Sequence, residues 1–89
     1  MSLRGSIAVS LAGRDKDRIF IIVGVLDEKY VFISDGRLRK VEKPKKKKLK
    51  HLRLDGKLDE VTTKLIAEGK LTNKTAAKII ASYHKCPEN

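Results

Sequence analysis

Apolar residues follow two regimes along the chain. In the first part they come as short runs parted by polar turns. In the last third they recur three and four positions apart. Residues 7–11 (IAVSL) predict a short strand, and residues 12–17 (AGRDKD) a polar turn with Gly13 as its permissive point. Residues 18–26 (RIFIIVGVL) are dense in β-branched side chains and predict the central strand. Gly24 inside that run predicts a bulge or bend, which a tightly coiled small sheet requires. Residues 27–29 turn the chain into a third strand over 30–34 (YVFIS).

Asp35-Gly36 is the clearest local signal, since a two-residue type I′ loop favours this pair. Such a loop sets Ser34 against Arg37, Ile33 against Leu38, Phe32 against Arg39 and Tyr30 against Val41. Phe32 and Arg39 then share a face suited to stacking on a base. The plainer arrangement is the expectation: Phe32 inside the core, with Arg39 snorkelling past it. The fourth strand spans 38–43 and stops at Pro44, which cannot donate to a ladder. Residues 45–48, four lysines in a row, predict a solvated, mutually repelling loop. Residues 49–54 (LKHLRL) recover an apolar pattern and predict a fifth short strand, with a 3₁₀ turn also compatible.

After Asp55-Gly56 the period changes. Leu58, Val61, Leu65 and Ile66 predict a helix with Asp59 and Glu60 in its first turn and Gly69 just past its end. Thr72 is a suitable N-cap for a second helix, with Leu71 stapled to Ala76. Ala76, Ile79, Ile80 and Tyr83 give that helix its apolar stripe, and Pro87 marks its end. The predicted organisation is mainly β, with a sheet domain over 6–54 and a helical pair over 55–89 packed on or beside it.

Charge changes this picture. Residues 37–53 hold ten Lys or Arg and one acid, for +9; the other 72 residues hold 11 bases and 10 acids. Nearly all of the chain's +10 is thus a local device, and such a device asks for a polyanion. The candidate nucleic-acid contacts are Arg37, Arg39, Lys40, Lys43, Lys45, Lys46, Lys47, Lys48, Lys50, His51 and Arg53. Arg14, Lys16 and Arg18, in and beside the first turn, join them. Lysines suit tracking a phosphate backbone, while Arg37, Arg39 and Arg53 suit stacking or bidentate contacts. The bland counterpart is a solvated loop that aids solubility, with Asp15 and Asp17 pairing the bases of the first turn.

Catalysis finds little support. His51 and His84 are far apart and have no acids at catalytic spacing, Cys86 is the single cysteine, and no Walker or dinucleotide loop occurs. The chain is expected to need no metal or cofactor, to take no small-molecule substrate and to be no enzyme. No apolar run approaches the ~20 residues of a membrane span, and MSLRGSIAVS has no signal core, so a cytoplasmic protein is expected.

Ser10-Leu11-Ala12-Gly13-Arg14-Asp15-Lys16, the apolar strand over 19–25, Asp35-Gly36, Arg39-Lys40 and the Lys-Pro-Lys-Lys-Lys segment together carry a likeness. In this combination residues 7–52 resemble the KOW-domain RNA-binding proteins. They are similar in particular to small bacterial relatives of the KOW-containing large-subunit ribosomal proteins of archaea and eukaryotes. The resemblance implies an SH3-like β-barrel of about five strands and a role on RNA, in the ribosomal setting. It departs at Asp17, where the family usually has Gly.

The expected function is therefore non-catalytic binding of ribosomal RNA or the ribosome, with ribosomal proteins as further partners. Three alternatives stay open. One is a protein-interaction module whose lysines meet an acidic ribosomal or transcription protein. Another is a DNA-binding helix-turn-helix exposing Asn73, Lys74, Lys78 and Lys85. A third is attraction of the polybasic segment to anionic lipid, disfavoured because no amphipathic anchor accompanies it.

Overall fold

Three strands form where β-branched residues cluster, β1 Ser6–Ser10, β2 Ile19–Val25 and β3 Tyr30–Ser34; two more, β4 Lys45–Lys48 and β5 Leu52–Lys57, hold no β-branched residue and pair onto the edges these leave. A 3₁₀ turn, Leu49–His51, joins the last two, and α1 Glu60–Ala67 and α2 Asn73–Lys85 follow. These elements come from a computed structural model that describes residues 3–85, with side chains through residue 83. Cys86 and Pro87, and the side chains of His84 and Lys85, lie outside the described residues.

All pairings are antiparallel, in the order β4-β3-β2-β1-β5. β4 and β5 are the edges and do not pair with each other, so the sheet stays open. The bulge expected at Gly24 is present: Ile22 pairs with Ile33 and Gly24 with Phe32, which leaves Val23 as the extra residue.

The sheet buries both faces. Ala8, Phe20, Ile22, Val31, Ile33 and Leu52 form one cluster, with Leu3 and Leu49 packed against it. Ile7 and Ile21 point the other way and meet Ile66, Leu71 and Ala76, with Ile79, Ile80 and Tyr83 at the margin. The helices thus cover the second face and share its core. The first cluster draws on strands that are not neighbours, β3 and β5, so the sheet curls to cover its own face. Double burial explains why β2 reads as a continuous apolar run rather than an alternating one. Each fully buried Ile or Phe contributes about 1.5–3 kcal/mol.

The helices keep close to their signals, although α1 starts at Glu60, so that Asp59, expected in the first turn, stands just before it. Asp59 caps α1, accepting from the Thr62 amide at 2.8 Å. At the other end Gly69 (φ 71°) donates to Ile66 O and Lys70 to Leu65 O, the paired bonds of a Schellman ending. Thr72 Oγ1 accepts from Thr75 N at 3.1 Å, and Leu71 and Ala76 are buried in one cluster as a staple requires. Val61 does not join the stripe; it is 72% exposed.

The segment after β3 departs from expectation. Asp35-Gly36 does turn the chain, but not as a two-residue hairpin, and residues 38–43 are not a strand. The Asp35 carboxylate accepts from the amides of Arg37 (2.9 Å) and Arg39 (3.0 Å), while Asp35 N and Gly36 N both donate to Arg39 O. These bonds curl the chain into a wider loop. Val41 N then donates to Asn73 Oδ1 at 2.8 Å, which ties the loop to the start of α2. The lysine run, expected as a solvated loop, is the fourth strand, pairing Lys48 with Tyr30, Lys47 with Val31, Lys46 with Phe32 and Lys45 with Ile33.

Candidate nucleic-acid interface

Strand alternation sorts the four lysines into two pairs. Lys45 and Lys47 share the side of Ile33 and Val31 and lean over the first turn. Lys45 Nζ donates to Asp15 Oδ2 at 3.0 Å, and Lys47 Nζ to the Ala12 carbonyl at 3.2 Å. Lys46 and Lys48 share the opposite side with Phe32 and Tyr30, and Lys46 Nζ stands 5.0 Å from the centre of the Tyr30 ring. So the run is half structural and half displayed.

Asp15 is the node that gathers the basic elements. Its side chain is 6% exposed and also lies 3.5 Å from Arg39 Nη2. Burial pushes its carboxyl upward, but the Lys45 hydrogen bond and charge outweigh that. With Arg39 and Lys47 adding to them, the carboxyl is held below its ordinary value. The first turn and the β3–β4 segment are thereby joined, which puts Arg14 and Lys16, both exposed, beside Lys45 and Lys47. Arg39 is partly exposed, and its Nε is buried with no hydrogen-bond partner among the described residues.

The turn itself is held by Ser10 N to Arg18 O, Asp17 N to Ser10 O and Arg18 N to Asp15 O. Asp17 has φ 73°, the one positive value of a non-glycine residue among the described residues. A left-handed conformation costs an L-residue roughly 1–2 kcal/mol, somewhat less for Asp. Asp17→Gly is therefore expected to raise stability by about 0.5–1 kcal/mol, and Asp17→Asn to leave it nearly unchanged, in urea unfolding. A loss of stability in Asp17→Gly would show that the Asp17 side chain is needed for more than its conformation.

The remaining candidates spread around this centre. Arg18 and Arg37 line one shallow groove with Asp17, Asp35 and the α2 residues Ala77 and Ile80. Lys40 and Lys43 are exposed and close a turn through Lys43 N to Lys40 O. Lys48 and Lys50 meet Glu28 and Lys29 at the far end of the sheet, where Leu49 N donates to Lys29 O. His51 is half-buried in the 3₁₀ turn, its carbonyl accepting from Leu11 N. Arg53 lies on the β5 edge with Asp55 at 3.7 Å, the edge away from β4. The geometry thus brings Arg14, Lys16, Arg39, Lys45 and Lys47 together, sets Lys46 and Lys48 on the reverse side of β4, and leaves Arg53 apart.

Three further residues take places other than the expected ones, among them Phe32, whose expected place is inside the core. Phe32 belongs to neither core and faces Lys46 rather than Arg39; its ring lies over Gly24, 3.4 Å from where a Cβ would stand. Tyr30 shares its face, a pairing that their i, i+2 spacing already contains. Asn73, expected as an exposed helix contact, is instead a clamp: besides Val41 N it holds both oxygens of Glu42, each at 2.8 Å. That bond first, and the nearby Lys40 charge, hold the Glu42 carboxyl below its ordinary value. Lys74 and Lys78 of the same helix are exposed. Among the described residues no helix is long and apolar enough to cross a membrane. No protein-family model matches the chain, and no significant match occurs among curated proteins.

Proposed function

We propose that the chain is a non-catalytic, cytoplasmic RNA-binding protein of the SH3-like, KOW type, acting on ribosomal RNA or the ribosome. The observation that carries the reading is the basic edge built around Asp15. It concentrates charges from two separate turns and a strand at one side of the sheet, where a phosphate backbone is the fitting ligand. The SH3-like reading is supported by the four-strand meander, the return of the last strand to the first, and the 3₁₀ turn before it. The helix-turn-helix alternative loses support because Asn73 is occupied by Val41 and Glu42.

The test is binding to a folded ribosomal RNA fragment across a salt series. With six or more phosphate contacts, affinity falls about 10³-fold between 50 and 200 mM salt. Salt-independent binding would remove the electrostatic basis. A pull-down with nuclease treatment separates the chief rival: partners that survive RNA removal assign the lysines to an acidic protein instead.

A further inference from the structure

Val31 and Ile33 of β3 point into the first core, so Tyr30 and Phe32 point to the other face of the sheet. There both rings are half-buried and belong to neither core. Phe32 leans over Gly24, which has no side chain to cover it, and borders a groove of about 590 Å³ that parts it from Ile66 and Leu71. Across the ladder Lys46 stands opposite Phe32, and Lys48 opposite Tyr30. Unlike Lys45, neither makes an ion pair among the described residues. β2, β3 and β4 contain no acid. Of the acids around them, Glu42 is taken up by Asn73 and Asp27 by the amides of Lys29 and Tyr30, while Glu28 stands among Lys29, Lys48 and Lys50.

Two rings on one strand, with a cation beside each, form a surface that alternates stacking and charge. An aromatic ring takes any base, and a lysine suits the phosphate that links one base to the next. The spacing selects the form of the nucleic acid. Residues two apart on a strand are separated by about 6.6 Å. Neighbouring bases of a duplex strand rise only ~3.4 Å, and their faces are already covered by each other. Bases occupy both rings only when drawn apart, so an unpaired segment fits this face and a duplex does not.

The Lys46 ammonium, 5.0 Å from the centre of the Tyr30 ring, has to give way. An exposed contact of that kind is worth about two- to fivefold in an equilibrium constant, and a stacked base about five- to a hundredfold. The base therefore displaces the ammonium, which then serves the phosphate beside it.

We propose that Tyr30 and Phe32 of β3, with Lys46 and Lys48 of β4, bind an unpaired stretch of RNA, one base stacked on each ring and the phosphates between them on the lysines, without choice of base. This rests on the RNA-binding reading and adds the form of the RNA to it. The edge around Asp15 attracts any phosphate backbone, whereas this face holds only a single strand.

The experiment is fluorescence anisotropy at fixed salt, with a labelled oligouridylate and a labelled RNA duplex of the same length. Tyr30→Leu and Phe32→Leu keep an apolar side chain and remove the π face. Each is expected to weaken oligouridylate binding about five- to tenfold and to leave duplex binding within about twofold of wild type. Phe32→Trp is expected to bind oligouridylate at least as tightly as wild type. It also gives the chain its one tryptophan, whose emission is expected to be quenched by the oligouridylate and not by the duplex. Thermal unfolding checks each variant, and the tryptophan reading stands even where a leucine variant does not fold. Folded leucine variants that bind oligouridylate like wild type, or that weaken both RNAs alike, would overturn the stacking face and leave RNA binding standing. Unchanged tryptophan emission in the oligouridylate complex would do the same. Failure of the wild type to bind the oligouridylate, the duplex or the folded fragment would overturn both.

Discussion

Gly36→Ala is expected to cost about 2–5 kcal/mol, a large share of the roughly 5–15 kcal/mol that holds a small domain folded. Gly36 has φ 76°, and the added Cβ would overlap the Asn73 carbonyl oxygen, lie 2.8 Å from Ala77 N and 3.0 Å from Ala76 Cβ. Two of these are backbone atoms in the first turns of α2 and cannot swing away. The loop would have to lift off the helix, and with it the Val41–Asn73 and Glu42–Asn73 bonds. Gly69→Ala is the control. Its φ is also positive, 71°, but nothing stands within 4 Å of the new Cβ, so only the conformational cost of about 1–2 kcal/mol applies. Urea unfolding of the two variants measures the difference. If Gly36→Ala costs no more than Gly69→Ala, the loop does not press on α2.

The same contact explains what the sequence could not convey about this region. Asp35-Gly36 reads as a hairpin because the pair suits left-handed turns, and local chemistry favours the shortest one. The competing demand comes from 37 residues further on: α2 needs a residue without a side chain where the loop crosses it. A single sequence shows that Gly36 is permissive, not what it must avoid. By contrast, the strands over β1, β2 and β3, the bulge at Gly24 and the caps at Gly69 and Thr72 depend on residues within a few positions of each other. They were legible for that reason. Val61 falls at helical spacing yet is exposed, since α1 presents Ile66 to the sheet and periodicity alone does not choose the facing edge.

The candidate site was legible in its charge and not in its order. Composition located the cations within residues 37–53 and in the first turn. It could not show that Asp15 binds them together, because Asp15 and Lys45 are 30 positions apart and neither is unusual in its own neighbourhood. Nor could repulsion among four lysines predict a strand. β3 offers an unpaired edge, Asp15 neutralises one ammonium, the Ala12 carbonyl receives another, and alternation puts the remaining two on the other side of the strand. A charged edge strand also resists pairing with another chain, so the lysines protect the open sheet whether or not RNA is bound.

That division of labour gives the last expected result, in which neighbouring lysines act on different properties. Lys46→Gln with Lys48→Gln is expected to lower RNA affinity about tenfold and reduce the salt slope by roughly 1.4–1.8, with stability changed by less than about 0.5 kcal/mol. Lys45→Gln acts chiefly on the fold. It leaves the buried Asp15 carboxylate with only Arg39 and Lys47 nearby and is expected to cost about 1–3 kcal/mol at neutral pH. The sign with pH follows from the depressed carboxyl. Its stabilisation is present above the unfolded-state value and is lost as pH falls through the folded-state value, below about pH 4. A protonated Asp15 no longer needs Lys45, so wild type and Lys45→Gln are expected to converge in stability across that acidic window. Denaturant midpoints measured from neutral to acidic pH follow the convergence. A gap that stays constant would place the effect of Lys45 elsewhere than in its pair with Asp15. Equal effects of both variants on affinity and stability would return the run to an undifferentiated basic segment.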